Sequence, residues 1–222
     1  MQPFFWYNIL IVLGMLLSIP YFFIGAQQSK KKHLVIFLIL ILISLVEVLG
    51  KYQQLSGQNN TTIYNVGYVI IGLSLKFYFF SLVFQEKKGK MLVLFLWSAF
   101  ITWSIINFLF FQSFGVFHHY SFAFGSLILI GLCFFFFHGI FFKNWYMDKN
   151  LLAVPEFWIV SFIMFFYSAS LLYFISFSFY YEGMDVTFYK RLNFFVNIMG
   201  CIMYLIMGLA FYAPLVFKES GK

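Results

Sequence analysis

Charged residues are scarce in this sequence. Of its 222 residues, only 9% are Asp, Glu, Lys or Arg and 63% are apolar, whereas about a quarter of the residues of a soluble domain are charged. Residues 91–142 contain no Asp, Glu, Lys or Arg at all. Since one membrane-spanning helix needs about 20 apolar residues, this block alone accommodates two spans. The composition excludes a soluble domain and indicates an integral membrane protein.

Cysteine and acidic residues are also few. The two cysteines, Cys133 and Cys201, both lie in apolar segments, which excludes a disulfide framework and a zinc knuckle. Seven acidic residues against 14 Lys and Arg give a net charge of +7. Because the positive residues lie between apolar runs, they indicate membrane orientation rather than binding to nucleic acid. We therefore expect no nucleic-acid partner.

Apolar runs divide the chain into seven predicted transmembrane helices. Each run is continuously apolar over about 20 residues, which excludes the alternating pattern of a membrane β-barrel strand. The first run lacks a basic leader and a small-residue cleavage site, so we expect it to remain as a span. The predicted spans are 4–24, 33–50, 63–84, 91–111, 120–142, 155–178 and 192–214. The expected fold is an all-α, polytopic seven-transmembrane helix bundle that forms a single domain over residues 1–222.

Lys and Arg are distributed unequally between the two sides of the predicted bundle. The first, third and fifth loops and the C-terminal tail hold ten of the 14, and the other loops hold three. The positive-inside rule then places the N-terminus outside and the C-terminus in the cytoplasm. We expect a multi-pass protein of the bacterial inner (cytoplasmic) membrane. The loops are too short for a folded module, so any output is expected to pass to a separate partner.

Glu47 and Lys76 lie inside predicted spans, where an ionisable side chain costs about 2.5 to 3.5 kcal/mol and is a functional candidate by default. Glu47 is expected about one turn below the outer interface. It either forms an interfacial ion pair with Lys51, four residues on, or acts as a carboxylate that senses a ligand or protons. Lys76 either snorkels toward the cytoplasmic headgroups or has a buried partner.

Two predicted helices carry polar residues along one face. Asn65, Tyr68, Gly72 and Lys76 follow at intervals of three and four in the third span, which places them on one side of a helix. In the last span, Asn193 and Asn197 begin a second striped face, whose amides either hydrogen-bond between helices or contact a ligand. We predict a polar pocket open to the outside, with a ligand-binding set of Glu47, Asn65, Tyr68, Lys76, Asn193 and Asn197.

Motifs for catalysis or metal binding are missing from the sequence. It contains no Gly-rich phosphate loop, nucleophile elbow or paired-histidine helix motif. His118 and His119 could join Glu182 and Asp185 in a metal site, but adjacent histidines without a third spaced ligand favour a solvated loop. We therefore predict no catalytic residue, no metal ligand and no cofactor, and expect that the protein is not an enzyme.

Several short, aromatic-rich motifs are spread over most of the chain. They are Val46-Glu47-Val48-Leu49-Gly50, Asn60 with Ile63-Tyr64-Asn65, Ile105-Ile106-Asn107 with Phe117-His118 and Tyr120-Ser121-Phe122, Pro155-Glu156-Phe157-Trp158 with Phe165-Phe166-Tyr167-Ser168, and Asn193 with Asn197. They resemble motifs of a family of seven-transmembrane integral membrane proteins of Bacteroidota, whose members often occur beside, or as the membrane input of, sensor histidine kinases. The resemblance implies a sensory or accessory role, with a cytoplasmic histidine kinase or another effector as partner.

Two function classes follow from the sequence. The first is a sensor-like or accessory protein that binds a small ligand or protons in the outward-facing pocket and signals to a separate cytoplasmic partner. The alternative is a small-molecule or ion transporter or channel that uses Glu47 and Lys76 as polar steps within the membrane. A passage continuous to both faces favours transport, whereas a pocket closed at its inner side favours reception.

Overall fold

The computed structural model describes residues 6–24, 29–180 and 186–217; for 175–180, 186 and 189 it describes the backbone only. Within these ranges every regular element is a helix. Among the described residues, seven helices are long and apolar enough to cross a membrane. The helical structure and the seven long apolar helices confirm the prediction of an all-α, multi-pass membrane protein.

The helices correspond to the seven predicted spans, with shifted ends. The second is longer than the predicted 33–50, since Lys and Gln side chains at its ends can extend to polar surroundings. Pro20 follows the end of the first, because proline lacks the backbone N–H that an uninterrupted helix requires. We label the long helices α1 (Trp6–Ser18), α2 (Lys30–Leu55), α3 (Thr61–Val83), α4 (Lys87–Phe110), α5 (His119–Phe142), α6 (Pro155–Tyr180) and α7 (Val186–Leu209). Short helices cover Tyr21–Ile24, Leu151–Ala153, Ala210–Tyr212 and Ala213–Val216.

The long helices form a closed ring. Each packs on the next along the chain, α7 packs on α1, and α2 also contacts α7. The start of α1 and the last turns of α2 lie at one end of the bundle, which we call the Glu47 end. At the opposite end, the Lys32 end, ion pairs join Lys32 to Glu156 and Lys143 to Glu86.

Close contact between α1 and α7 depends on two glycines. A Cβ on Gly208 would lie 2.1 Å from the carbonyl oxygen of Gly14, and a Cβ on Gly14 would lie 2.7 Å from that of Tyr204. Small residues let membrane helices approach to backbone contact. This contact closes the ring and fixes the face of α7 that points into the bundle.

The half of the bundle toward the Lys32 end is filled by apolar side chains. They come from α2, α3, α5, α6, α7 and the short helix Ala210–Tyr212, and they are almost completely buried. Because side chains at native packing density leave few voids large enough for water, this half is closed. The core residues include Ile36, Ile39, Leu40, Phe77, Phe80, Leu132, Phe136, Ile159, Met203, Met207 and Phe211.

Candidate functional site

A cavity of about 180 Å³ lies between the helices at the Glu47 end. All the long helices except α4 contribute to its wall, together with the connection between α4 and α5. Its polar lining residues are Tyr7, Glu47, Tyr64, Tyr68, Ser170, Tyr173, Asn193, Asn197, Cys201 and Tyr204, and Phe117, Phe122, Phe166 and Phe174 are among its apolar ones. Four residues of the predicted ligand-binding set line this cavity: Glu47, Tyr68, Asn193 and Asn197.

Glu47 provides the carboxylate of this cavity. Its side chain is only 9% exposed. The Oε2 atom accepts hydrogen bonds from Asn8 Nδ2 at 3.0 Å and from the Tyr64 hydroxyl at 3.2 Å. The Oε1 atom accepts no hydrogen bond from the part of the chain that the structure describes, so it can accept one from a bound solute.

The ion pair considered for Glu47 and Lys51 is not formed. Lys51 Nζ donates to Gln54 Oε1 at 3.2 Å, whereas Glu47 turns to α1 and α3. The carboxylate is thus held by neutral donors, and the second interpretation, a carboxylate facing a ligand or proton site, fits its surroundings.

Asn193 and Asn197 place two amides on the α7 side of the cavity. Asn193 is exposed and Asn197 is half-buried, and both line the cavity. Neither amide hydrogen-bonds to any residue within the described ranges, so both have free donors and acceptors. On the α6 side, the buried Ser170 Oγ also lacks a hydrogen-bond partner among the described residues. Unpaired polar atoms at a cavity wall are expected where a polar solute or water binds.

Lys76 lies behind the cavity wall and not in it. Its side chain is completely buried, and Nζ donates to the Gly72 carbonyl at 3.3 Å. The same atom is 5.9 Å from the ring centroid of Tyr68 and 5.8 Å from that of Tyr167. The side chain therefore points back toward the Glu47 end, opposite to the direction that snorkelling requires. The Tyr68 ring, which lines the cavity, lies against Lys76.

Asn65 does not line the cavity, which corrects its predicted ligand role. Its side-chain nitrogen donates to the carbonyls of Phe114 at 3.3 Å and Val116 at 2.9 Å, and its oxygen accepts from the His118 backbone N–H at 2.9 Å. These bonds hold the connection between α4 and α5, which carries Phe117 to the cavity wall. Asn65 is thus a positioning residue.

Asn65 lies outside the cavity lining because of the helix geometry of α3. Residues Tyr64–Ile71 form a π-helix, whose i→i+5 hydrogen bonds widen each turn, so the spacing of three and four no longer defines one face. The π-helix directs Tyr64 to Glu47 and Asn65 to the α4–α5 connection. Such segments occur frequently at functional sites.

Residues that the sequence reasoning missed complete the site. Asn8 lies within the first apolar run, and Tyr64 is one of 15 tyrosines, so neither residue stands out in the sequence. The sequence does show where α3 packs closely on α2, since Gly67 lies in the middle of the π-helix. There a Cβ would meet Val46 Cγ2 at 2.3 Å, so only glycine lets α3 approach α2.

The expectation of a solvated loop is wrong for His118. This residue is 2% exposed, and its ring lies 5.5 Å from that of Phe114 and 6.2 Å from that of Phe108. Burial lowers the pKa of His118 below the usual histidine range. Glu182 and Asp185 lie outside the described residues. Within those residues, no three His, Cys, Asp or Glu side chains form a group that could hold a metal ion.

The site is therefore a small, partly open cavity with one carboxylate, several phenols and two free amides, walled by aromatic rings and closed below. This arrangement can bind a small solute through one charge, a few hydrogen bonds and aromatic faces. The chain matches no protein-family model, no curated protein and no solved structure.

Proposed function

We propose that the protein is a sensor-like or accessory protein of the bacterial inner membrane. It binds a small solute or a proton in the cavity at the Glu47 end, which faces the outside. The occupied cavity changes the packing of the helices, and a separate cytoplasmic partner, a histidine kinase or another effector, reads the change at the Lys32 end.

The shape of the cavity is the observation that carries this proposal. It lies at one end of the bundle, and Asn193 in its lining is exposed. Beyond Lys76 the helices are packed with buried apolar side chains such as Phe77, Phe80 and Met207. A closed lower half supports reception, whereas transport requires a path to both faces.

The distribution of charge supports the orientation. Among the described residues, the cations at the Lys32 end are Lys30, Lys31, Lys32, Lys87, Lys88, Lys90, Lys143 and Lys149. Cytoplasmic loops carry such an excess. The Glu47 end is then outside, and the Lys32 end presents a basic surface to a cytoplasmic partner.

The π-helix of α3 supplies a route between the two ends. Tyr64 donates to Glu47 from its first turn, and the α-helix that follows it runs without interruption from Gly72 to Val83 at the Lys32 end. If binding or release of a solute at Glu47 alters the π-helical register, the α-helical segment from Gly72 to Val83 must rotate or translate. Shifts of about 1 to 2 Å are common in helical switches.

Transport is a second candidate because of Lys76. Its ammonium group continues the polar region below the cavity, and Tyr68 separates it from Glu47. Alternating access would require the packed apolar half beyond Lys76 to open.

A solute screen tests the proposal. We expect that some small polar solutes raise the melting temperature of the purified protein, since binding to the folded state stabilises it by mass action. Glu47→Gln keeps the shape of the side chain but removes its charge, and it should abolish the increase. Glu86→Gln is the matched control, because Glu86 pairs with Lys143 at the opposite, solvated end; its response should equal that of the wild type.

Two outcomes decide between the candidates. If no solute stabilises the wild type, or if Glu47→Gln responds normally, the proposed site is wrong. A stabilising solute that is also carried across proteoliposome membranes by the wild type, and not by Glu47→Gln, would establish transport in place of reception.

A further inference from the structure

We infer that the solute recognised at the Glu47 end is a small organic cation, an amine or a quaternary ammonium compound. This inference rests on the proposed function and specifies the chemistry of its ligand. It is carried by the charge of the cavity, by the rings that line it and by its size.

Charge is the first argument. Glu47 is the only charged side chain among the described residues that line the cavity. One of its oxygens is fully engaged by Asn8 and Tyr64, and the other is left for a ligand. Lys76 lies outside the lining, behind the Tyr68 ring. An anion would meet an unbalanced carboxylate here, and a cation would neutralise it.

The rings are the second argument. Cations are attracted to the faces of aromatic rings, and cages of such rings are the usual binding sites of quaternary ammonium groups. The cavity is lined by five tyrosines and four phenylalanines. Several of these rings hold one another in place: Phe117 stacks on Phe174 at 5.4 Å between centroids, and Tyr68 stacks on Phe122 at 5.6 Å.

Size and polarity are the third argument. The volume of about 180 Å³ is smaller than the roughly 300 to 1,000 Å³ of pockets for drug-sized ligands, so the solute is small. A quaternary ammonium group has no N–H and needs no hydrogen-bond acceptor, which suits a wall made mainly of rings, while the N–H groups of an amine can donate to Glu47 Oε1. The free amides of Asn193 and Asn197 can bind a polar group attached to the cation.

The test compares choline and tetramethylammonium with the neutral carbon isostere of choline, in which a tert-butyl group replaces trimethylammonium. Affinities are measured by calorimetry on the full chain in nanodiscs. We expect at least one of the cations to bind, and the isostere to bind about tenfold more weakly or not at all, which corresponds to the loss of one desolvated cation–π or ionic contact.

Two variants separate recognition from folding. Glu47→Gln should weaken cation binding about tenfold or more, and Phe174→Leu should weaken it several-fold while leaving the affinity for the isostere unchanged. Glu86→Gln should bind as the wild type does. The melting temperature without solute shows that each variant is folded.

Failure of this inference differs from failure of the proposed function. The ligand is not a cation if the isostere binds as tightly as choline. The same holds if neither cation binds while a neutral or anionic solute stabilises the wild type through Glu47. In both cases the proposed binding site at the Glu47 end is retained. If no solute of any class binds, both are wrong.

Discussion

Gly208→Ala is expected to lower the stability of the protein by about 3 kcal/mol, because it adds a methyl group where there is no space. The new Cβ would lie 2.1 Å from the Gly14 carbonyl oxygen and 2.9 Å from its carbon. Both atoms belong to the backbone, so no side chain can move aside, and α1 must separate from α7. The shape of the cavity should change as well, since both helices contribute to its wall.

Gly131→Ala is the matched control. Gly131 lies within α5, and a Cβ there meets no atom within 4 Å. This exchange should leave stability unchanged or raise it by up to about 1 kcal/mol through helix propensity. Thermal unfolding in detergent compares the two variants. Equal melting temperatures for Gly208→Ala and the wild type would contradict the described contact between α1 and α7.

Lys76→Met is expected to stabilise the protein by about 2 kcal/mol. Lys76 is completely buried, and its nitrogen has one backbone acceptor, the Gly72 carbonyl, for its three N–H donors. Burying polar groups that lack partners costs about 1 to 3 kcal/mol. Methionine has a similar length and adapts well to irregular cores, so it removes this cost without leaving a large void.

The control for this exchange is Lys90→Met, which changes an exposed lysine at the start of α4. It should alter the free energy of unfolding by less than about 0.5 kcal/mol. The two variants are compared by thermal unfolding in the same detergent. A large loss of stability in Lys76→Met would show that the buried ammonium group stabilises the fold, which would contradict a net cost of its burial.

Hydropathy was sufficient to predict the seven helices, since an apolar run of about 20 residues has few alternatives in a bilayer. Polar residues within such runs also predicted much of the site. Glu47, Tyr68, Asn193 and Asn197 line one cavity because a polar side chain in an apolar helix must turn toward the bundle. This rule requires no knowledge of the detailed helix packing.

The residues that could not be placed from sequence depend on that packing. Asn65 was assigned by α-helical spacing, and the π-helix of Tyr64–Ile71 turns it to the α4–α5 connection. Lys51 has the spacing for an ion pair with Glu47, yet Asn8 and Tyr64 from neighbouring helices hold that carboxylate. Partners from other helices leave no periodic signal in the sequence.

The central claim is that a solute bound at the Glu47 end changes the Lys32 end. Electron paramagnetic resonance between spin labels at K90C and K149C measures this directly, because both positions are exposed at the Lys32 end. With a solute that stabilises the wild type, the distance should shift by about 2 Å, and Glu47→Gln should show no shift. An unchanged distance at full occupancy would contradict the claim.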